Sequence, residues 1–266
     1  MGALRALVAV LLVAAPALAS CATGAQGRLA DPPAAGARSG SDLTGDLLVF
    51  AAGSLTEAFE ELGGAFRHVH PDVDVMFSFA GSQVLARQIA HGAPADVFAA
   101  AAPAQTDWLV DRGVVAGEPR VLASNRLAIV VAAGNPLGIR TLADLARPDV
   151  TFVMAAEEVP AGHYARAVLW AADVEVSPAS LEIDVRAVLS RVVLGEADAG
   201  IVYASDVAVG DGVASVEIPP ARNVAVTYMA AIPRDAPNPR AAGAFVGFAR
   251  SPDGQAILRR HGLLRP

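Results

Sequence analysis

The chain has 266 residues, of which 54% are apolar and 18% charged, and a formal charge of −7. That balance excludes an intrinsically disordered chain and leaves room for one large domain or two of medium size. A net acidic chain without a basic patch argues against nucleic acid as a partner. All twenty basic residues are arginine, so neither a Schiff-base lysine nor a P-loop lysine is available.

At the N-terminus, Arg5 precedes an apolar run from Ala6 to Leu18. The run has the length of a signal peptide and is short for a membrane span. It ends in Leu18-Ala19-Ser20-Cys21, small residues before a cysteine that resemble a bacterial lipobox, in which the signal is cleaved and the cysteine carries lipid. An ordinary secreted protein with a cysteine beside its cleavage site is the alternative. Cys21 is the only cysteine and has no disulfide partner within the chain. From about Ala22 to Thr44 the sequence is rich in Gly, Pro, Ala and Ser without apolar periodicity, the pattern of a flexible tether. The expected organisation is a signal peptide over residues 1–20 and a lipid-anchored tether over 21–45. A lipid at Cys21 holds the protein at the extracytoplasmic side of the cell membrane, in the periplasm or at the cell surface.

Beyond the tether, short apolar runs alternate with amphipathic stretches. Strands are predicted at 47–51, 73–79 and 96–100, with helices at 56–67, 84–91 and 106–112 between and after them. The first helix carries Leu55, Phe59, Leu62 and Phe66 on one stripe. A longer strand at 127–132 is ended by Gly134-Asn135-Pro136, and Thr141 with Asp144 gives the next short helix (141–146) a start like a capping box. A strand at 151–155, helices at 161–171 and 185–194, and strands at 199–203, 213–218 and 224–232 follow. Helices at 239–250 and 253–261 close the chain. Trp108 and Trp170 have apolar neighbours and are expected in the core. This alternation implies an α/β fold with mostly parallel sheets. About ten strands are too many for one open sheet, so two lobes fit better. The crossings are expected near 124–126 and 221–224, giving lobe I over 46–125 plus 224–266 and lobe II over 126–223.

Two segments share one design. Gly53-Ser54 and Gly81-Ser82 each leave a strand and enter a helix. A helix N-terminus with free N–H groups is a ready anion site, and two at neighbouring parallel strands aim at one point beyond the strands' carboxyl ends. The bland alternative is that each serine caps its own helix. In the other half, Val159-Pro160-Ala161-Gly162 and Asp184-Val185-Arg186 open helices, and Gly200-Ile201-Val202-Tyr203 ends a strand in a tyrosine.

These segments, with Leu85-Ala86-Arg87-Gln88-Ile89, Gly92-Ala93-Pro94-Ala95-Asp96-Val97 and the stretch from Val159 to Ala165, resemble the periplasmic molybdate-binding proteins of ABC transporters, within the type II periplasmic binding protein family. The resemblance runs from about residue 46 to the end in one order. It implies a two-lobe α/β fold with the oxyanion in a cleft between lobes, held by neutral donors. It places hydroxyl and backbone donors at Ser54 and Ser82, backbone N–H donors at Ala161 and Val185, and a phenolic donor at Tyr203. It implies molybdate, with tungstate beside it, as ligand, and an ABC permease as partner. The metal is then bound as its oxyanion, with no direct protein ligand, no cofactor and no catalysis. A monomer is expected.

Elementary chemistry agrees with that donor set. A dianion leaving water needs several donors, and molybdate, tungstate and sulfate carry no proton near neutral pH. Hydrogen phosphate also needs an acceptor, so a donor-only site rejects it. Glu158 and Asp184 depart from such a set: Glu158 is expected to face solvent, and Asp184 to cap its helix. The rivals are a binder of sulfate or thiosulfate, a secreted hydrolase using Ser54 or Ser82, and a sensor module on the same fold. The five histidines show no metal-ligand spacing, and no G-x-S-x-G, G-x-G-x-x-G or Walker pattern is present.

Overall fold

The computed structural model describes residues 43–208 and 210–266. The expected signal peptide, Cys21 and nearly all of the tether lie outside the described residues. Leu43 is already buried and a strand starts at Gly45, so the last residues assigned to the tether belong to the body of the fold. Among the described residues no helix is long and apolar enough to cross a membrane.

Ten strands form two five-stranded sheets. The first contains β1 (Gly45–Ala52), β2 (Val73–Ala80), β3 (Val97–Ala100), β4 (Arg120–Asn125) and β10 (Val226–Ala231), in the order β2-β1-β3-β10-β4. The second contains β5 (Leu127–Ala132), β6 (Phe152–Ala155), β7 (Ser180–Glu182), β8 (Ala199–Tyr203) and β9 (Val213–Glu217), in the order β7-β6-β8-β5-β9. The chain leaves the first sheet at Arg126 and returns to it after Glu217.

Parallel pairing takes a smaller share than the βα alternation suggests. β1 pairs in parallel with β2 and β3, and β6 with β7 and β8. β10 runs antiparallel to β3 and β4, and β5 to β8 and β9. The reason is that β5 and β10, the strands by which the chain enters a sheet after each crossing, run against the direction of the βα units, while β4 and β9 run with it. β4 and the three-residue β7 gave no strand pattern in the sequence. β4 exists through its ladder with β10, and β7 through its ladder with β6.

Helices cover the sheets as their apolar stripes require. α1 (Thr56–Val69) buries Phe59, Leu62 and Phe66. Phe66 meets Phe245 of α7 (Pro239–Arg250) edge-on at 5.3 Å between ring centroids, and Phe59 meets the same ring at 6.0 Å. The last helix, α8 (Pro252–Arg260), packs on α1 and α7, which returns the C-terminus to the first sheet. α2 (Ser82–Ala90) and α3 (Pro103–Val110) bury Leu85, Ile89 and Leu109 in a separate cluster with Phe50 and Phe98. β1 is therefore buried on both sides, which explains its unbroken apolar run. On the second sheet, α4 (Pro160–Ala171) and α5 (Val185–Val193) pack against β6 and β8, and the five-residue α6 (Ala204–Ala208) follows β8 directly.

The capping box of Thr141 and Asp144 is present, on a short 3-10 helix over Leu142–Ala146. The tryptophans are not core residues. Trp170 is 86% exposed, on the outer face of α4, and Trp108 is half-buried with the Arg112 guanidinium 3.7 Å above its ring. Apolar neighbours in the sequence do not specify which way a helical side chain points.

Candidate functional site

The register of β1 and β2 creates the first half of the site. Ala52 lies opposite Ala80 at the carboxyl ends of the two parallel strands, so Ser54 and Ser82, each two residues further on, emerge side by side. Neither serine caps its own helix: no side-chain cap bond is made at the starts of α1, α2 or the 3-10 turn Gly53–Leu55. Instead the Ser54 hydroxyl lies 2.9 Å from the Tyr228 hydroxyl, and Ser82 Oγ accepts the Ala101 N–H at 3.1 Å. Both serines are buried. Neither Tyr228 nor Ala101 is a base that would activate a nucleophile, which removes support from the hydrolase alternative.

The second half is built at helix starts beyond β6 and β7 and at the end of β8. Pro160 is the first residue of α4, with Ala161 next. Val185 opens α5, where Asp184 Oδ1 accepts the Ala187 N–H at 2.8 Å and caps the helix as its position predicts. First-turn amides have no carbonyl partner inside their own helix. Those of Ser82, Ala161 and Val185 are thus donors by position. Gly162 lets α4 start close against β6: a Cβ there would lie 2.0 Å from the Ala156 carbonyl oxygen.

All five predicted residues, Ser54, Ser82, Ala161, Val185 and Tyr203, line one small hollow between the two sheets. Gly53, Gly81, Pro160 and Asp184 complete much of its wall. Glu158 is exposed and lines a different groove, with Arg87 and Trp108. Tyr203 is fully buried, and among the described residues no group bonds its hydroxyl. Burial, with Tyr228 and Asp206 nearby, pushes its phenol well above the ordinary value, so it stays a neutral donor.

Several groups around this cavity gave no recognisable signal in the sequence. Asp206 Oδ2 accepts the Tyr203 N–H at 3.0 Å while Oδ1 is unbonded, and burial pushes this carboxyl up to about 7. Tyr228 and Asn125 lie behind Ser54, on strands remote from it in sequence. Two contacts join the sheets beside the cavity. Arg186 of α5 makes a two-pronged pair with Glu57 of α1, at 2.6 and 3.3 Å, and Gln83 Nε2 donates to the Ile183 carbonyl at 2.9 Å.

The family described as bacterial extracellular solute-binding protein matches residues 47–264. The chain is 40% identical to the molybdate-binding protein ModA of Mycobacterium tuberculosis over 261 residues, 98% of this chain and 97% of that one. It is 34% identical to the molybdate-binding protein ModA of Escherichia coli, over 82% of this chain and 88% of that one. Among solved structures, the periplasmic molybdate-binding protein of Azotobacter vinelandii has the same fold, with a TM-score of 0.73 at 20% identity over 83% of this chain and 99% of that one. With its two mixed α/β sheets and a donor-lined hollow between them, the chain belongs to the bacterial extracellular solute-binding proteins.

Proposed function

We propose that this protein captures molybdate, and tungstate with it, in the cavity between its two sheets and delivers it to an ABC permease. The observation that supports the reading is that Ser54, Ser82, Ala161, Val185 and Tyr203, drawn from both sheets, line one hollow. Ser54 and Ser82 supply hydroxyl and backbone donors, Ala161 and Val185 backbone N–H groups, and Tyr203 its phenol. Each donor bond to a charged acceptor contributes roughly 1.5–3 kcal/mol, and several together offset the loss of the dianion's water shell. The relatives whose names specify molybdate, at 40% and 34% identity, support the choice of anion.

In this reading residues 46–125 with 224–266 form one lobe and residues 126–223 the other, hinged where the chain crosses between sheets. The closed form is selected by the ligand because only there do both halves reach the anion. Glu57–Arg186 and Gln83–Ile183 are then closing contacts. The lipid at Cys21 keeps a monomeric binding protein beside its permease, and the protein has no catalytic role.

Calorimetric titration of the protein lacking residues 1–21 with molybdate, tungstate, sulfate and phosphate tests the reading. Heat from molybdate and tungstate with none from phosphate is expected. Binding of phosphate but not molybdate would overturn it.

A further inference from the structure

We propose that Tyr228, held by Asn125, is a specificity-determining positioning residue: it commits the Ser54 hydroxyl to donate into the cavity, and so makes the site refuse an anion that carries its own proton. The inference rests on the oxyanion reading above and adds to it a cause for proton discrimination.

A serine hydroxyl is amphoteric, so a site lined with serines is not donor-only by composition. What decides the matter is where the proton points, and here a buried chain of hydrogen bonds decides it. The Arg126 backbone N–H, which can only donate, bonds Asn125 Oδ1 at 2.9 Å. This fixes the amide, and places both amide protons on the other side. Asn125 Nδ2 donates to Ser205 Oγ at 2.8 Å and to the Tyr228 oxygen at 3.3 Å. Tyr228 is fully buried, and burial keeps its phenol protonated at any ordinary pH. Its oxygen already accepts from Asn125, and its own proton has Ser54 Oγ within reach at 2.9 Å. The reverse assignment, with Ser54 donating, would strand the Tyr228 proton without an acceptor in the interior, a costly arrangement. Ser54 therefore accepts from behind, and its remaining proton faces the hollow.

Ser82 is wired the same way by a different group. Its oxygen accepts the Ala101 backbone N–H at 3.1 Å, which frees its proton for the cavity. Two of the three lining hydroxyls are thus committed as donors from the protein side. Hydrogen phosphate has the same charge as molybdate near pH 7.5 but brings a P–O–H that needs an acceptor. At Ser54 and Ser82 it meets oxygens with one lone pair already engaged from behind and a proton directed at it.

The test is calorimetric titration of the full-length chain at pH 7.5 with molybdate and with inorganic phosphate, comparing wild type, Tyr228→Phe, Ser54→Ala and the double variant. Tyr228→Phe leaves the ring in place and frees a lone pair on Ser54. Molybdate should weaken by about tenfold while phosphate is unchanged or gains, so that the ratio of the two affinities narrows at least about tenfold. Adding Tyr228→Phe to Ser54→Ala should narrow it no further, since the group that responds is gone. Asn125→Asp is the second arm: an acceptor in place of the amide turns the Tyr228 proton away from Ser54 and should narrow the ratio likewise. Should neither variant fold, the wild type still answers. Its Tyr228 hydroxyl proton should show a nuclear Overhauser contact to the Ser54 β-protons, and its absence from a resolved spectrum counts against the assignment. A ratio unchanged within twofold in a folded variant, with wild type binding molybdate normally, overturns the relay alone. A wild type that takes no molybdate overturns the functional reading and the relay with it.

Discussion

Replacing Tyr203 by phenylalanine separates the binding role of its hydroxyl from any structural one. The side chain is fully buried, lines the cavity, and has no hydrogen-bond partner among the described residues. Removing one oxygen from it therefore breaks no bond of the fold and leaves the ring's edge-on packing against Tyr228, at 5.9 Å, untouched. Stability of the ligand-free protein should stay within about 0.5 kcal/mol of wild type, which for a body of this size is a melting shift of no more than about 2 °C. The liganded state is different: an anion in the cavity loses one of its neutral donors. A hydrogen bond to a charged group contributes roughly 1.5–3 kcal/mol, so molybdate affinity should fall by about 10- to 150-fold. Thermal melting without ligand and calorimetric titration with molybdate, on the same preparation, read both quantities. If Tyr203→Phe melts several degrees lower yet binds as tightly as wild type, the hydroxyl serves the fold and not the anion, and the site has been misassigned.

Three further outcomes are expected. Gly162→Ala puts a methyl 2.0 Å from the Ala156 carbonyl oxygen, so the start of α4 must move and take the Ala161 amide with it. Molybdate affinity should drop by at least about tenfold, and full affinity in a variant whose α4 has not moved would contradict this. Asp206 titrates at about 7 in the fold against a reference of 3.8, because burial penalises its charge. The folded state thus holds the proton more tightly than the unfolded one. This group's contribution is intact below about pH 4 and is lost as pH rises through 7, by as much as about 4 kcal/mol. Asp206→Asn should flatten the denaturation profile between those limits, and equal slopes for the two proteins would refute it. Arg186→Ala removes a cross-sheet pair whose side chains are each about one-third exposed, so it should weaken molybdate binding by no more than about fivefold. Added salt should weaken wild type toward the variant's affinity and leave the variant nearly unchanged.

Much of the fold was legible because local pattern and tertiary demand coincide. The stripe of Phe59, Leu62 and Phe66 marks α1 since a surface helix buries one face. The unbroken run into Ala52 marks β1 since a central parallel strand is buried on both sides. Where the two demands separate, the sequence was mute. β7 is three residues held by β6, and Trp170 lies among apolar neighbours yet faces out, because the rotation of α4 is set by the sheet it packs on.

The site divides along the same line. Most of its segments were visible in the sequence as a glycine, proline, serine or aspartate at a junction between elements, because a backbone turning into a helix favours those residue types, and Tyr203 as a tyrosine ending a strand. By itself the sequence thus offered the candidate donors and placed most of them at helix starts. It did not determine the direction of their protons. That property belongs to Tyr228 on β10 and Asn125 on β4, 174 residues from Ser54 in one case and 103 residues from each other. Nothing local marks either residue as part of the site. Only the closing of the antiparallel ladder between β4 and β10 sets an amide behind a phenol and the phenol behind a serine, and a hydroxyl's role as donor or acceptor is decided by the neighbour behind it.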